Sequence, residues 1–195
     1  SPSGTYTWGT LGTPSSTSSN TTYTWTPTGQ SSGAKVLMVA GGGGTGNTNL
    51  TRGGGGAGEL VFLPSQYIPS SQQTIIVGNG GQSGASGYDT EFLSITANGG
   101  GASGTSGGSG GGEGRDQNGS AGASVKTGSG YGNDGGIATA SSWGGAGGGG
   151  GAGASGGSGG GGSSSTEYGG DGGDGLKEVT IDGTLYNFAT VFGGA

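Results

Sequence analysis

The sequence predicts a mainly β and irregular fold with almost no α-helix, in which a base of short β-strands carries a bundle of packed polyglycine II helices. Three observations predict it. Glycine accounts for 59 of the 195 residues, the glycines of the long tracts recur at every third position, and short apolar runs flank those tracts. No useful length of the chain has the 3.6-residue apolar period of an amphipathic helix.

The longest glycine tract, residues 144–162, shows the three-residue period most clearly. One of its three columns holds only glycine, and a second holds only glycine except at Ala154. Another tract, residues 99–114, keeps an all-glycine column from Gly101 to Gly110. A polyproline II type helix has three residues per turn and no internal hydrogen bonds, so its backbone groups must pair with neighbours. Because glycine has no Cβ, neighbouring helices can approach closely enough to form those bonds.

A flexible linker or disordered tract is the alternative interpretation, since glycine and serine dominate such sequences. Two features favour an ordered bundle. Segments with large side chains, residues 124–143 and 164–168, interrupt the tracts, which a plain linker would not need. Strand-like apolar runs also lie on both sides of the glycine region. A single helix of this kind is unstable, so we expect several packed together.

Composition and charge exclude several classes of protein. Hydrophobic residues, at 26%, are too few for an ordinary core, and charged residues, at 8%, are too few for a highly charged disordered chain. Collagen requires abundant proline, whereas this chain has five prolines, the last at Pro69. The net charge of −6 and five scattered cations argue against nucleic-acid binding. No stretch approaches the roughly 20 apolar residues of a membrane span, so we expect no membrane insertion.

The N-terminal region, residues 1–32, is rich in serine and threonine and repeats the sequence Thr-Tyr-Thr-Trp at 5–8 and 22–25. Threonine alternating with aromatic residues is typical of a half-buried strand. The two copies are predicted to be strands of one small sheet. The other hypothesis is that one copy is an arm that joins the sheet edge of a neighbouring subunit.

The rest of the chain, residues 33–195, is predicted to form one glycine-rich domain with three parts: strands in 33–98, the polyglycine II bundle with its loops in 99–175, and a closing β-hairpin in 176–195. Predicted strands in the first part are Lys35–Ala40, Leu60–Leu63 ended by Pro64, Thr74–Val77 and Glu91–Ile95. In the third part, Asp182-Gly183 predicts a hairpin turn. We expect this hairpin to close the domain by pairing with the earlier strands.

The chemistry of the side chains argues against an enzyme. Histidine and cysteine are absent, which removes the commonest general base and the usual zinc ligands. A pair of carboxylates would suffice for a glycosidase, but most acidic residues lie in glycine-rich segments without the apolar wall that raises the pKa of a catalytic acid. We expect no enzymatic activity and no cofactor.

Residues 169–177 fit the calcium-binding nonapeptide of parallel β-rolls, with Asp171 and Asp174 as the acidic residues. A partial second copy occupies residues 111–116. Such motifs bind calcium only as stacked tandem copies, and these two lie more than fifty residues apart. A chance match is expected in so glycine-rich a chain, so we predict no metal site.

Bulky and polar residues in the loops of the bundle are the binding candidates. Aromatic and amide side chains on a rigid support suit stacking and hydrogen bonding with a carbohydrate or a protein loop. The alternative is that Tyr131, Trp143 and Tyr168 pack over the ends of the bundle and shield backbone groups. The candidates are Tyr88, Arg115, Asp116, Asn118, Tyr131, Asn133, Asp134, Trp143, Glu167 and Tyr168.

The chain resembles a known family in its succession of apolar runs and glycine clusters. The segments that carry the resemblance are VLMVAGGGG, GGGGAGELVFL, TIIVGNGG, ANGGG and GGSGGGG, within residues 34–175. This order is similar to the glycine-rich domains of bacteriophage tail-fibre and adhesin proteins, and to the extracellular glycine-rich domain of anaplastic lymphoma kinase and related receptors. The resemblance implies packed polyglycine II helices on a β base. In the phage adhesins it also implies receptor binding through variable loops at the tip of the bundle.

These observations together lead us to expect a non-enzymatic virion structural protein, a phage tail-fibre or adhesin component on the virion surface or outside the cell. Its expected partners are a host surface receptor, either carbohydrate or outer-membrane protein, and other virion or fibre subunits, including copies of itself. The main alternative is a self-assembling subunit of an extracellular glycine-rich filament. A weaker alternative is an ice-binding protein.

Overall fold

The computed structural model of the chain describes residues 9–12, 15–46, 52–115, 120–139, 144–161 and 166–192. The first Thr-Tyr-Thr-Trp copy, residues 5–8, lies outside the described residues. The elements are β1 (Gly9–Leu11), β2 (Ser15–Ser16), β3 (Asn20–Pro27), β4 (Ser31–Val39), β5 (Leu60–Ile68), β6 (Gln73–Gly78), β7 (Thr90–Phe92), β8 (Ile95–Ala97), β9 (Gly130–Tyr131), β10 (Glu178–Ile181), β11 (Thr184–Asn187) and α1 (Phe188–Phe192).

The prediction of a mainly β fold with almost no helix is confirmed. All strand pairs within the three sheets are antiparallel, and α1 is a single five-residue helix. In the part of the chain that the structure describes, no helix has the length and apolar character needed to cross a bilayer.

Three antiparallel sheets form the base of the molecule. The largest has the strand order β1-β3-β6-β7-β8, with β2 also paired to β3. The second has the order β4-β5-β9, and the third is the β10-β11 hairpin. The second Thr-Tyr-Thr-Trp copy lies in β3, which pairs with β6 of the same chain from Asn20 to Trp25. These residues are therefore an internal part of the largest sheet.

The β4-β5-β9 sheet is the middle layer because it buries apolar side chains on both faces. One face contributes Met38 and Val61 to a core cluster shared with Phe92 of the largest sheet. The other face contributes Leu60 and Phe62 to a cluster shared with the C-terminal hairpin. Alternate side chains of a strand point to opposite faces, so two short strands supply both clusters.

The strand that was predicted to end at Pro64 continues past it. In β5 the register shifts between the pairs Val36–Leu63 and Ala34–Gln66, so Pro64 lies at an irregularity in the ladder. Proline has no N–H to donate and is tolerated in a strand at such a bulge. The predicted end at Pro64 was therefore wrong.

Residues 91–95 were predicted as one strand and instead belong to the β7–β8 hairpin. The turn residues Leu93 and Ser94 have φ angles of 51° and 60°, which is the left-handed conformation that two-residue type I′ hairpin turns require. Neither residue is glycine or asparagine, so the sequence contained no turn signal here.

The predicted C-terminal hairpin is present, with its turn at Asp182 and Gly183, whose φ angles are 48° and 76°. Its predicted pairing with earlier strands is wrong, because among the described residues β10 and β11 pair only with each other. The hairpin instead packs through side chains. The ring of Phe62 lies 5.1 Å from that of Tyr186 and 5.4 Å from that of Phe188.

The glycine-rich segments lie side by side and are joined by backbone hydrogen bonds. Residues 144–151, here called the central segment, are all buried and form hydrogen bonds with five other segments. These five are residues 53–59, 107–113, 132–139, 153–160 and 168–175. The lateral bonding begins before residue 99, where the bundle was predicted to start, because residues 41–46 and 79–88 also take part.

The lateral hydrogen bonds recur at every third residue. Toward residues 153–160, the donors of the central segment are the N–H groups of Gly145, Gly148 and Gly151, at 2.9 to 3.0 Å from their acceptors. The same step of three separates successive bonds to each of the other four segments. A β-ladder has a two-residue period, whereas three residues is one turn of a polyglycine II helix. The assignment of individual segments as polyglycine II helices stays a prediction.

We expect a methyl group inside the bundle to destabilise the fold. A Cβ added at Gly112 would overlap the carbonyl oxygen of Gly147, so Gly112→Ala should lower the free energy of unfolding by about 1–3 kcal/mol or more. The matched control is Gly172→Ala, where an added Cβ meets no atom within 4 Å and the change should stay within about 0.5 kcal/mol. Thermal and urea denaturation of both variants measure the difference. Equal losses would show that lateral contact between segments does not support the fold.

Candidate functional site

The bundle has two chemically different ends. At one end, the base, the chain passes directly between glycine segments and the strands β4, β5 and β10. Ala152, just beyond the central segment, packs against the apolar cluster of Leu60 and Phe62 there. At the other end, the central segment begins at Gly144, eight residues and about 25 Å from Ala152 at the roughly 3.1 Å rise per residue of the predicted polyglycine II helix. We call this end the tip, and it contains Gly46, Arg52, Arg115, Thr139, Gly144, Gly161, Thr166, Glu167 and Tyr168.

Three of the predicted binding residues come together at the tip. Arg115 follows one glycine segment, and its Nη1 lies 3.3 Å from Oε1 of Glu167 in a partly exposed ion pair. Tyr168 follows Glu167 directly and is 64% exposed. The structure thus places a cation, an anion and an aromatic ring from segments more than fifty residues apart at one end of the bundle.

Tyr168 is exposed at its ring and fixed at its backbone. Its N–H donates to the carbonyl of Gly160 at 3.2 Å, and its own carbonyl accepts from the Gly160 N–H at 3.0 Å. A Cβ added at Gly160 would overlap the tyrosine ring, so the phenol end of the ring lies against this glycine. Tyr168 therefore covers backbone at the end of the bundle while most of its surface stays exposed.

Tyr131 and Asn133 lie toward the base and have structural contacts. Tyr131 is in β9 and packs against the apolar cluster of Leu60, Phe62 and Val179. The Asn133 amide nitrogen donates to the carbonyl of Gly151 at 2.8 Å. Both side chains support the junction between the bundle and the base.

Asp134 and Tyr88 also lie away from the tip. Oδ1 of Asp134 accepts from the backbone N–H of Ser124 at 2.6 Å. Tyr88 is exposed, and its carbonyl accepts from Gly41 at the point where β4 ends. The remaining candidates, Asp116, Asn118 and Trp143, lie outside the described residues.

Glu59 is a buried carboxylate that was not among the binding candidates. It is 0% exposed, and both of its oxygens accept hydrogen bonds. Oε2 accepts from the N–H of Asn98 at 2.8 Å, and Oε1 accepts from the N–H and hydroxyl of Thr127 at 2.6 and 2.7 Å. With its acceptors engaged in this way, Glu59 ties together segments from three parts of the chain. The one sequence signal for this buried carboxylate was the position of a charged residue between Gly58 and an apolar run.

The calcium-like sequence at residues 169–177 does not form a stacked β-roll. The carbonyls of Asp171 and Asp174 accept backbone hydrogen bonds from Gly157 and Gly153, and both residues are exposed. Throughout the described ranges, no group of three or more potential metal-binding side chains is close enough to hold an ion.

Comparison with protein-family models gives one match, a glycine-rich domain that covers residues 16–194. The chain belongs to this glycine-rich domain family. The match extends from β2 to beyond α1, so the base and the bundle are parts of one glycine-rich domain. Comparison of this glycine-rich domain with curated proteins and with solved structures gave no significant match.

We expect Glu59→Gln to destabilise the glycine-rich domain even though it removes a buried charge. The new NH₂ group must face either the Asn98 N–H or the Thr127 donors, which leaves at least one buried donor without a partner at a cost of about 1–3 kcal/mol. The same substitution at exposed Glu91 is the control and should change stability by less than about 0.5 kcal/mol. Urea denaturation compares the two, and amide exchange at Asn98 or at Thr127 should rise only in Glu59→Gln. Unchanged exchange at both residues would contradict the role of Glu59.

Proposed function

We propose that this glycine-rich domain is a non-enzymatic attachment component of a virion, of the phage tail-fibre or adhesin kind, displayed on the virion surface as a homo-oligomer. The observation that carries the proposal is the gathering of Arg115, Glu167 and Tyr168 at the tip, at the end of the bundle away from its apolar base. The repeated apolar-run and glycine pattern of the sequence supports the same assignment.

Rigidity of the support favours recognition at the tip. The central segment is hydrogen-bonded on five sides, and the backbone of Tyr168 is held by two hydrogen bonds to its neighbour. Binding that orders an already fixed side chain loses little conformational entropy. An exposed aromatic ring on a fixed backbone therefore gives more net binding free energy than the same ring on a flexible loop.

The side chains at the tip suit a carbohydrate or a polar protein loop on a host surface. An exposed tyrosine offers an apolar face for stacking and a hydroxyl for hydrogen bonding. The ion pair of Arg115 and Glu167 adds donors and acceptors at the same end of the bundle. Catalysis is not part of the proposal, because Glu59, the most buried carboxylate among the described residues, has both oxygens occupied by backbone and threonine donors.

Truncation of the exposed ring should weaken attachment without weakening the fold. We expect Tyr168→Ala to reduce the affinity for bacterial cells that the unaltered chain binds by about tenfold, the equivalent of about 1.4 kcal/mol. Tyr67→Ala is the matched control, since Tyr67 is 54% exposed but lies in β5, away from the tip. Flow cytometry of the fluorescently labelled chain against a panel of Gram-negative and Gram-positive bacteria measures binding, and thermal denaturation checks folding.

Saturable binding to at least one strain, lost in Tyr168→Ala and kept in Tyr67→Ala, would support attachment through the tip. Absence of binding to every strain in the panel would count against a bacterial attachment role. Equal binding by the two variants would exclude Tyr168 from the recognition surface.

A further inference from the structure

The central segment has an unused direction for hydrogen bonding. A helix with three residues per turn points its N–H groups in three directions and its carbonyl groups in three others, so it can bond to six neighbours. The central segment bonds to five. Its N–H groups donate to two of them, residues 107–113 and 153–160. Its carbonyls accept from the other three, residues 53–59, 132–139 and 168–175.

The order of these five neighbours is fixed by the bonds among them. Residues 53–59 bond to 107–113, which bond to 132–139, which bond to 153–160, which bond to 168–175. Along this order of neighbours, the central segment alternately accepts hydrogen bonds from one neighbour and donates them to the next. Within the described residues, no backbone bond closes the ring between 168–175 and 53–59. The alternation predicts that a third set of N–H donors faces this gap.

The N–H groups of Ala146 and Gly149 are that third set. Their carbonyls accept from Gly170 and Gly173 at 2.8 and 2.9 Å, while their N–H groups make no hydrogen bond within the described residues. Both residues line a surface groove of about 720 Å³ between residues 53–59 and 168–175. The two donors are three residues apart, like the donors of the central segment toward residues 107–113 and 153–160.

The walls of the groove present the complementary groups. Gly55 and Gly58 line one side, and within the described residues their carbonyls accept no backbone hydrogen bond. Gly172 lines the other side and likewise has no backbone bond to a described residue. An added Cβ at Gly172 would meet no atom within 4 Å, so this wall is open. The groove therefore has a floor of donors and a wall of acceptors at the same three-residue spacing.

We propose that this groove binds a glycine-rich segment of a second polypeptide chain, which takes the sixth position around the central segment. Carbonyls of the incoming segment accept from Ala146 and Gly149, and its N–H groups donate to Gly55 and Gly58. Groove residues 146–152 span about 20 Å at roughly 3.1 Å per residue, which sets the length of the bound segment at about seven residues.

The spacing of the donors selects the chemistry of this partner. A β-strand repeats its backbone groups every two residues and would meet only some of the donors. An α-helix has its backbone groups already bonded internally. A segment of three residues per turn with glycine facing the groove matches every donor and avoids the overlap of a Cβ with the floor. The donors and acceptors of this groove do not include Arg115, Glu167 or Tyr168, so the inference does not depend on the proposed attachment function.

Amide hydrogen exchange of the full chain, followed by NMR, tests the proposal. In the chain alone, Ala146 and Gly149 should exchange at least about tenfold faster than Gly147 and Gly148, whose N–H groups are hydrogen-bonded within the protein. Addition of a synthetic peptide with the sequence of residues 144–152 should slow exchange at Ala146 and Gly149 and leave Gly147 unchanged. A peptide of the same length with alanine in place of every glycine is the control and should have no effect.

Variants separate groove binding from general adhesion of the peptide. Gly172→Leu fills the groove and should abolish the peptide effect, whereas Gly29→Leu, also at a position with no atom near its Cβ, should retain it. Exchange at Ala146 and Gly149 could also be slow only at high protein concentration and fast again in Gly172→Leu. That result would support the proposal, with a second copy of the chain supplying the bound segment. Concentration-independent slow exchange in the chain alone, no response to the glycine peptide, or an undiminished response in Gly172→Leu would overturn it.

Discussion

The lateral backbone hydrogen bond between glycine segments is the interaction on which this structure depends. The glycine segments bond laterally at every third residue, so a hydrogen-bonded N–H or carbonyl of the central segment has its partner on a neighbouring segment. Partners at 2.6 to 3.2 Å are available only because the segments lie in backbone contact. A single methyl group at Gly112 would overlap a neighbouring carbonyl. The glycine content is thus a packing requirement, and it replaces the large apolar core that the composition does not provide.

The few apolar side chains have a correspondingly narrow role, which is to fix one end of the bundle. The middle sheet buries both faces, and β4 and β5 run straight into glycine segments at Ala40 and Glu59. Strand pairing at the base therefore sets how the first glycine segments are aligned. Glu59 extends this alignment by accepting hydrogen bonds from Asn98 and Thr127, which belong to later parts of the chain. A charged group at the junction can hold backbone donors that no apolar side chain could satisfy.

A bundle built from backbone leaves side chains to act at its ends and edges. The ion pair of Arg115 and Glu167 and the exposed ring of Tyr168 lie at the tip. Along the side of the bundle, by contrast, the surface groove is lined mostly by glycine and presents backbone donors and acceptors. Recognition at the tip would depend on which side chains the turns carry, whereas recognition in the groove would depend on the spacing of backbone groups. The two surfaces can therefore change independently.

The sequence by itself determined the β class, the near absence of helix, the three-residue period and the turn at Asp182 and Gly183, because each is a local property of residue type and spacing. Only the tertiary structure decided that Tyr131 lies at the base and Tyr168 at the tip, that β5 passes through Pro64, and that Glu59 is fully buried. It also decided which segments surround the central segment and which of its hydrogen-bonding directions has no neighbour among the described residues. Glycine columns carry no side chains that distinguish one neighbour from another. The order of the segments is therefore set by where the base strands and the connecting residues place them. That order is a long-range property of the whole chain.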